Sequence, residues 1–233
     1  MAYTTRREGC PLGAVETWIF DLDNTLYPTS CGLFVLVQAK MNQYIRERLG
    51  LDEAGAAALR RKYFLEHGTT MNGLMTVNRI DPHEFLAFVH EVDLACVPQD
   101  PALAAAIGKL QGRKVVFTNG SVRHAERLLG HLGIGDHFTG IVDIVACEFD
   151  PKPALTGYRE LMRRHDVAPM KALMVEDIAR NLAPAAELGM TTAWIRNELD
   201  WAAAESEADY IHHVVEDLAG FLEAAAAQQA GRG

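Results

Sequence analysis

Basic residues are in short supply. Twenty-two Lys and Arg stand against 31 Asp and Glu, a formal net charge of −9. A surface that acidic repels nucleic-acid backbones, so no DNA or RNA partner is expected. It also repels small anions at long range, so any phosphate site must be built from local donors and a metal. No stretch approaches the roughly 18 apolar residues of a membrane span. The polar N-terminus, with Arg6, Arg7 and Glu8, lacks the apolar centre of a signal peptide. No membrane partner is expected. Cysteine is sparse: Cys10, Cys31, Cys96 and Cys147 lie far apart with no CxxC pair. That argues against a disulfide framework and for reduced thiols in the cytoplasm. No Gly-x-Gly-x-x-Gly follows the first apolar strand, which sets aside a dinucleotide-binding enzyme. Internal repeats and linkers rich in Pro, Gly and Ser are also missing.

What is present is an ordinary globular composition, 49% hydrophobic and 23% charged over 233 residues, enough for one α/β domain with a modest insertion. Short β-rich runs alternate with helical patterns. Thr17–Leu22, Lys114–Thr118, Ile141–Val145, Ala172–Val175 and Thr191–Ile195 read as buried strands. Ser121 can cap a helix running to Leu132, and Pro153 can open one running to His165. A further helix, Ile178–Leu188, ends at Gly189. This alternation predicts a doubly wound, Rossmann-like α/β core around a parallel sheet covered on both faces.

One region breaks the rhythm. From about Thr29 to Val97 there is no convincing strand. Leu33, Val37, Met41, Tyr44 and Ile45 form one helical stripe ending near Gly50, and Asp81-Pro82-His83-Glu84 has the form of a capped helix start with a capping-box acid. Residues 29–97 therefore read as a helical cap inserted after the first strand, with residues 1–28 and 98–233 forming the core. Such an insertion sits over the edge where doubly wound sheets bind ligands. The tail from Val214 reads as a surface helix fraying into Gly231-Arg232-Gly233.

Chemistry-bearing residues gather at four strand ends. Asp21-Leu22-Asp23-Asn24-Thr25 follows Trp18-Ile19-Phe20, and two carboxylates so close are costly without a compensating cation. Thr25 can hold the turn. Thr118-Asn119-Gly120 offers a hydroxyl and backbone N–H donors at a helix start. Lys152, between Pro151 and Pro153, sits on a stiff backbone where its ammonium can bridge a carboxylate and a phosphate oxygen. Glu176-Asp177 ends another apolar strand, with Asn181 one turn further on. Taken singly, each is also an ordinary strand-ending turn, an N-capped loop, a surface lysine or a pair of acids at a helix start. In a parallel sheet, however, these ends share one edge. The resulting cleft suits metal-assisted phosphoryl transfer.

This ordered set resembles the four motifs of the haloacid dehalogenase superfamily on its phosphatase side, over about Thr17 to Ile195. Asp21-Leu-Asp-Asn-Thr-Leu-Tyr27, Thr118-Asn-Gly-Ser121, Phe149-Asp-Pro-Lys-Pro153 and Tyr63-Phe-Leu-Glu-His-Gly68 with Gly73-Leu74 further resemble its pyrimidine 5′-nucleotidase branch. The resemblance implies a phosphomonoester hydrolase with Asp21 as nucleophile and Asp23 as general acid and base. It implies Mg²⁺ held by Asp21, the backbone carbonyl of Asp23, and Asp177. Thr118, Asn119 and Gly120 would bind the phosphoryl group, Lys152 would offset charge, and Glu176, Asn181 and Thr25 would steady the ligands. Many relatives carry an acid where Asn181 stands, which puts the number of direct carboxylate ligands in question.

The implied substrate is a small phosphorylated metabolite, a pyrimidine nucleotide first. A sugar-phosphate or phosphoglycolate-type substrate is the alternative. A receiver-like signalling domain shares the acids, the Thr and the Lys, but such domains are about half this length and have no use for Asp23. A dehalogenase attacks carbon and likewise has no use for Asp23. His67 and His124 read as polar or partly exposed histidines without a catalytic role, the pair His212-His213 as structural, Arg123 as a solvated helix residue, and Phe34, Phe64 and Tyr27 as core. Oligomeric state is not written in the sequence.

Overall fold

The computed structural model describes residues 1–197 and 200–231. Seven strands form one sheet: β1 (Tyr3–Thr5), β2 (Thr17–Phe20), β3 (Arg113–Phe117), β4 (Gly140–Val142), β5 (Ala172–Glu176), β6 (Thr191–Ile195) and β7 (His213–Val215). Their order is β1-β7-β6-β5-β2-β3-β4. All neighbours are parallel except β1, which runs antiparallel to β7. The alternation in β2 shows why the strands read as unbroken apolar runs. Trp18 and Phe20 enter one buried cluster and Ile19 the other, because both faces are covered. In β5, Leu173 and Val175 go to the first face, Ala172 and Met174 to the second.

Four helices follow β2: α1 (Leu33–Leu49), α2 (Glu53–His67), α3 (Thr70–Asn78) and α4 (Pro82–Val89). They share a separate apolar cluster with Tyr44, Ile45, Tyr63, Leu74 and Phe85 among its members. Gly73 lets α3 lie against α2, since a Cβ there would sit 2.3 Å from Tyr63 Cγ. The remaining helices are α5 (Pro101–Lys109), α6 (Val122–Leu132), α7 (Leu155–His165), α8 (Ala183–Glu187), α9 (Asp200–Ala203) and α10 (Leu218–Ala230). No helix among the described residues is long and apolar enough to cross a membrane.

Several local expectations need correction. The sheet is not wholly parallel: the three-residue strands β1 and β7 were too short to give an apolar run. Pro153 does not open α7. It follows a cis peptide bond from Lys152, and Ala154 takes the N-cap position. The run after Asp177 is a 3-10 turn, Ala179–Leu182, leading into the short α8 rather than one continuous helix. Glu84 pairs with Arg48 instead of closing a capping box, although Asp81 does cap α4 by accepting from the His83 N–H at 2.9 Å. The C-terminal helix is not a free surface element. Phe221, Leu222 and Ala225 are buried, and the Gln229 amide bonds the carbonyls of Val15 and Gln111 at 3.1 and 3.2 Å. Of the expected fraying end, Arg232 and Gly233 lie outside the described residues.

Candidate active site

The parallel register of β3, β2 and β5 aligns their C-terminal ends, so Thr118, Asp21 and Asp177 leave the sheet side by side. Asp21 stays on the ladder by donating its N–H to Val175 O at 2.9 Å. The chain then turns, with Thr25 and Leu26 N–H both reaching Leu22 O and Asn24 in the left-handed region at φ 63°. That turn brings Asp23 back over the edge, and Thr25 Oγ1 donates to Asp21 Oδ2 at 3.2 Å.

Lys152 is the centre of the arrangement. It is 4% exposed. Its backbone N–H donates to Asn119 Oδ1 at 2.9 Å, which ties the loop before α7 to the end of β3. Its ammonium donates to Asp21 Oδ1 at 2.6 Å, Glu176 Oε2 at 2.7 Å and Phe117 O at 2.9 Å. Three donors meet three acceptors, as a buried ammonium requires. Burial works against the charged form, but the Asp21 and Glu176 carboxylates more than offset it and raise the Lys152 pKa.

Asp21, Glu176 and Asp177 are all buried and offer oxygens within 4.8 Å of one another. Three carboxylates face one ammonium there. Burial, and then the Glu176 charge, push Asp21 up to about 7 against the pull of Lys152. Burial, Glu176 and Asp21 likewise lift Asp177 well above the carboxylate range. The cluster is short of positive charge. Glu176 is already committed: Oε2 to Lys152, Oε1 to Asn181 Nδ2 at 3.1 Å and Ile178 N–H at 3.3 Å. Asp177 Oδ2 is buried with no hydrogen-bond partner among the described residues. An all-oxygen set with an unpaired buried carboxylate oxygen fits a hard divalent cation.

Asp23 behaves differently from its neighbour. It accepts from the Tyr27 hydroxyl at 2.7 Å and lies 2.9 Å from His124 Nε2. Burial alone would raise it, but His124 and the hydrogen bonds from His124 and Tyr27 lower it to about 2. His124 is itself pulled down by burial and raised overall by Asp23. Its ring stacks on His90 at 4.3 Å, and His90 Nδ1 lies 3.0 Å from the Ser121 hydroxyl that caps α6. Burial and His124 lower His90 to about 3, so it is neutral. Arg127 holds the return segment by donating to His90 O at 2.6 Å and Val92 O at 2.9 Å.

The structure brings Asp21, Asp23, Thr118, Asn119, Gly120, Lys152, Glu176, Asp177 and Asn181 to one cavity of about 350 Å³. Thr25 contacts Asp21 from below. The Gly120 N–H is not free for a ligand: it donates to Thr118 Oγ1 at 2.9 Å, so Gly120 shapes the turn instead of offering a donor. From the sequence, Tyr27 reads as core and His124 as a histidine without a catalytic role, while His90 is not singled out at all. The four-residue spacing of Asp23 and Tyr27 was the one visible hint of their contact; nothing local pairs position 23 with 124.

A fold with this strand order and these four strand ends defines a hydrolase of the haloacid dehalogenase type. Residues 15–189 match the model of the haloacid dehalogenase-like hydrolases, and the chain belongs to that family. It is 30% identical to Phosphate metabolism protein 8 of Saccharomyces cerevisiae over 152 residues, 60% of this chain and 46% of that protein. The match thus spans about half the length of the yeast relative. It is 26% identical to Glyceraldehyde 3-phosphate phosphatase of Methanothermobacter thermautotrophicus over 206 residues, 82% of this chain and 88% of the other. The 2-Haloacid Dehalogenase of Pseudomonas syringae pv. Tomato DC3000 shares the fold, with a TM-score of 0.59 at 19% identity over 94% of this chain and all of the other.

Proposed function

We propose that this hydrolase is a magnesium-dependent phosphomonoesterase working through an aspartyl-phosphate on Asp21, with pyrimidine nucleoside 5′-monophosphates as its preferred substrates. The observation that carries the reaction type is the second carboxylate, Asp23, held beside Asp21 by Tyr27 and His124. A carbon-attacking dehalogenase has no role for it. The nucleotide preference is supported by the Asp21–Tyr27, Thr118–Ser121 and Phe149–Pro153 motifs and by a cavity larger than a bare phosphate needs. Helices α1–α4 act as the cap over this cavity, and the sparse, scattered cysteines suit a cytoplasmic setting.

In the first half-reaction an Asp21 oxygen attacks phosphorus and the bond to the alcohol oxygen breaks. The Asp23–His124 pair shares one proton, and the leaving alkoxide takes it through Asp23. In the second half-reaction Asp23 accepts a proton from water as that water attacks phosphorus, and the Asp21–phosphorus bond breaks. The Thr118 hydroxyl and the Asn119 N–H orient phosphoryl oxygens, while Lys152 keeps Asp21 aligned and balances charge. Mg²⁺, held by Asp21, Asp177 and the Asp23 carbonyl, would neutralise charge between carboxylate and phosphate. Glu176 and Asn181 support that set without joining it.

The test is a phosphate-release panel of UMP, CMP, AMP, phosphoglycolate and glyceraldehyde 3-phosphate, with Mg²⁺ or EDTA. Turnover is expected only with Mg²⁺, led by UMP and CMP. Faster hydrolysis of phosphoglycolate or glyceraldehyde 3-phosphate would overturn the nucleotide preference, and full activity in EDTA would overturn the metal requirement. Because Asp21 is lifted to about 7 and Asp177 is lifted as well, cation binding must displace protons below that point. Mg²⁺ affinity by calorimetry should therefore climb about tenfold per pH unit between pH 6 and 7.

Removing the Asp23 partner has its own expected result. His124→Leu should lower kcat by about 10- to 100-fold with little change in KM, and His124→Gln, which can still donate to Asp23, should recover part of that loss. Equal damage from both variants would reduce His124 to a packing role.

A further inference from the structure

We infer that Cys31 and Cys96 form a reversible disulfide that ties together the two segments joining the cap to the core and so slows turnover; the effect on turnover rests on reading α1–α4 as a cap. Cys31 ends the 3-10 turn Thr29–Cys31, just before α1 opens. Cys96 lies between the end of α4 and the start of α5, on the chain's way back to the sheet. Far apart in sequence, they stand on the two connections of one insertion.

Those connections pack side by side. Leu26, Tyr27 and Leu33 from the first and Val92 and Val97 from the second are buried in one apolar cluster, with Cys31 and Leu94 packed against it. There the two thiols meet: Cys31 and Cys96 share a side-chain hydrogen bond and interact electrostatically. The Cys96 thiol also donates to the Asp93 carbonyl at 4.0 Å. Both are free thiols here, and closeness is the first condition for a disulfide. The pair also borders the catalytic machinery. The Cys31 thiol is near enough to Tyr27 to favour its protonated hydroxyl, and that hydroxyl holds Asp23 at 2.7 Å.

The surroundings divide the roles. Cys96 is exposed and meets an oxidant from solution, whereas Cys31 is half-buried, and burial raises its pKa. The oxidant is a small disulfide such as oxidised glutathione. The Cys96 thiolate attacks one of its sulfurs and expels the other as a thiolate. The Cys31 thiolate then attacks the Cys96 sulfur and expels the second glutathione thiolate. The two protons leave the cysteines for the two glutathiones, and the two electrons pass from the protein to the small disulfide. The new bond fixes the entry segment to the exit segment, so the cap no longer swings on them independently.

The experiment equilibrates wild type, Cys31→Ser, Cys96→Ser and Cys10→Ser with oxidised or reduced glutathione. Cys10, held to the start of β6 by Thr191, is the control. The readouts are non-reducing peptide mass spectrometry and Mg²⁺-dependent hydrolysis of p-nitrophenyl phosphate. Oxidised wild type and Cys10→Ser should carry the Cys31–Cys96 link and lose at least about fivefold in kcat, which dithiothreitol restores. Cys31→Ser and Cys96→Ser should show neither the link nor the restorable loss. Thermal melts check that each variant folds; if Cys31→Ser does not, Cys96→Ser decides, since Cys96 is exposed. Glutathione adducts without the link, links only between separate molecules, or a complete link with unchanged kcat would each overturn the inference. A reduced wild type inert towards every phosphomonoester would overturn the phosphatase reading and the slowing of turnover with it, while the peptide map would still decide the disulfide.

Discussion

Asp21→Asn should leave a folded protein whose phosphate release falls by at least about 10⁴-fold, because an amide cannot form the acyl phosphate. The substitution is nearly isosteric, and the Asn carbonyl oxygen can still accept from Lys152 where Asp21 Oδ1 now does at 2.6 Å. Shape is therefore preserved while nucleophilicity is lost. The measurement pairs phosphate release with a thermal melt. A variant that keeps a tenth of the wild-type rate would remove Asp21 as nucleophile, whatever else the cavity does.

Lys152→Met should be the most damaging change to stability. It strips the ammonium from between Asp21 and Glu176 and leaves the Phe117 carbonyl without that donor. Breaking a buried ion pair from one side costs about 3–5 kcal/mol, since the remaining charge stays desolvated. The pH dependence follows from the direction of the shifts. Asp21 is already raised to about 7 with Lys152 present, and losing the lysine raises it further. A carboxylate raised in the folded state binds protons that the unfolded chain has released, so folded stability falls as pH rises between the two pKa values. Urea unfolding should show the variant closest to wild type near pH 5 and furthest from it at pH 8. A stability loss under about 1 kcal/mol at pH 8 would mean that the lysine is not what offsets the buried carboxylates' charge. Activity should fall together with stability, by about 10²-fold or more.

How much of this was legible in the sequence depended on range. The central strands were readable because burial on both faces turns them into apolar runs, as with Trp18-Ile19-Phe20. Capping was readable where one side chain reaches its own helix, as with Ser121 and Asp81. Outer strands β1 and β7 were not, since three residues carry too little pattern and pair only with each other and β6. The Lys152 contacts to Asp21 and Glu176 span 131 and 24 residues. They followed from the motif set as a whole and from no local signal. His124 met Asp23 across 101 residues, and its helical setting gave no reason to prefer it to any other buried histidine. The 3-10 turn after Asp177 was misread as a helix start because Ala, Leu and Glu dominate the segment that follows. There the Glu176 carboxylate accepts from the Ile178 N–H and from Asn181, holding the backbone in a tighter path.

The reactive carboxylates stand on strand ends wedged between neighbours in a sheet, whereas much of the facing cavity wall comes from helices α1–α4. Edits on those helices can reshape the pocket's outline and leave the sheet register untouched. Changing what it does would disturb several strands at once. Descendants of such a chain are free to drift in diet long before they drift in chemistry.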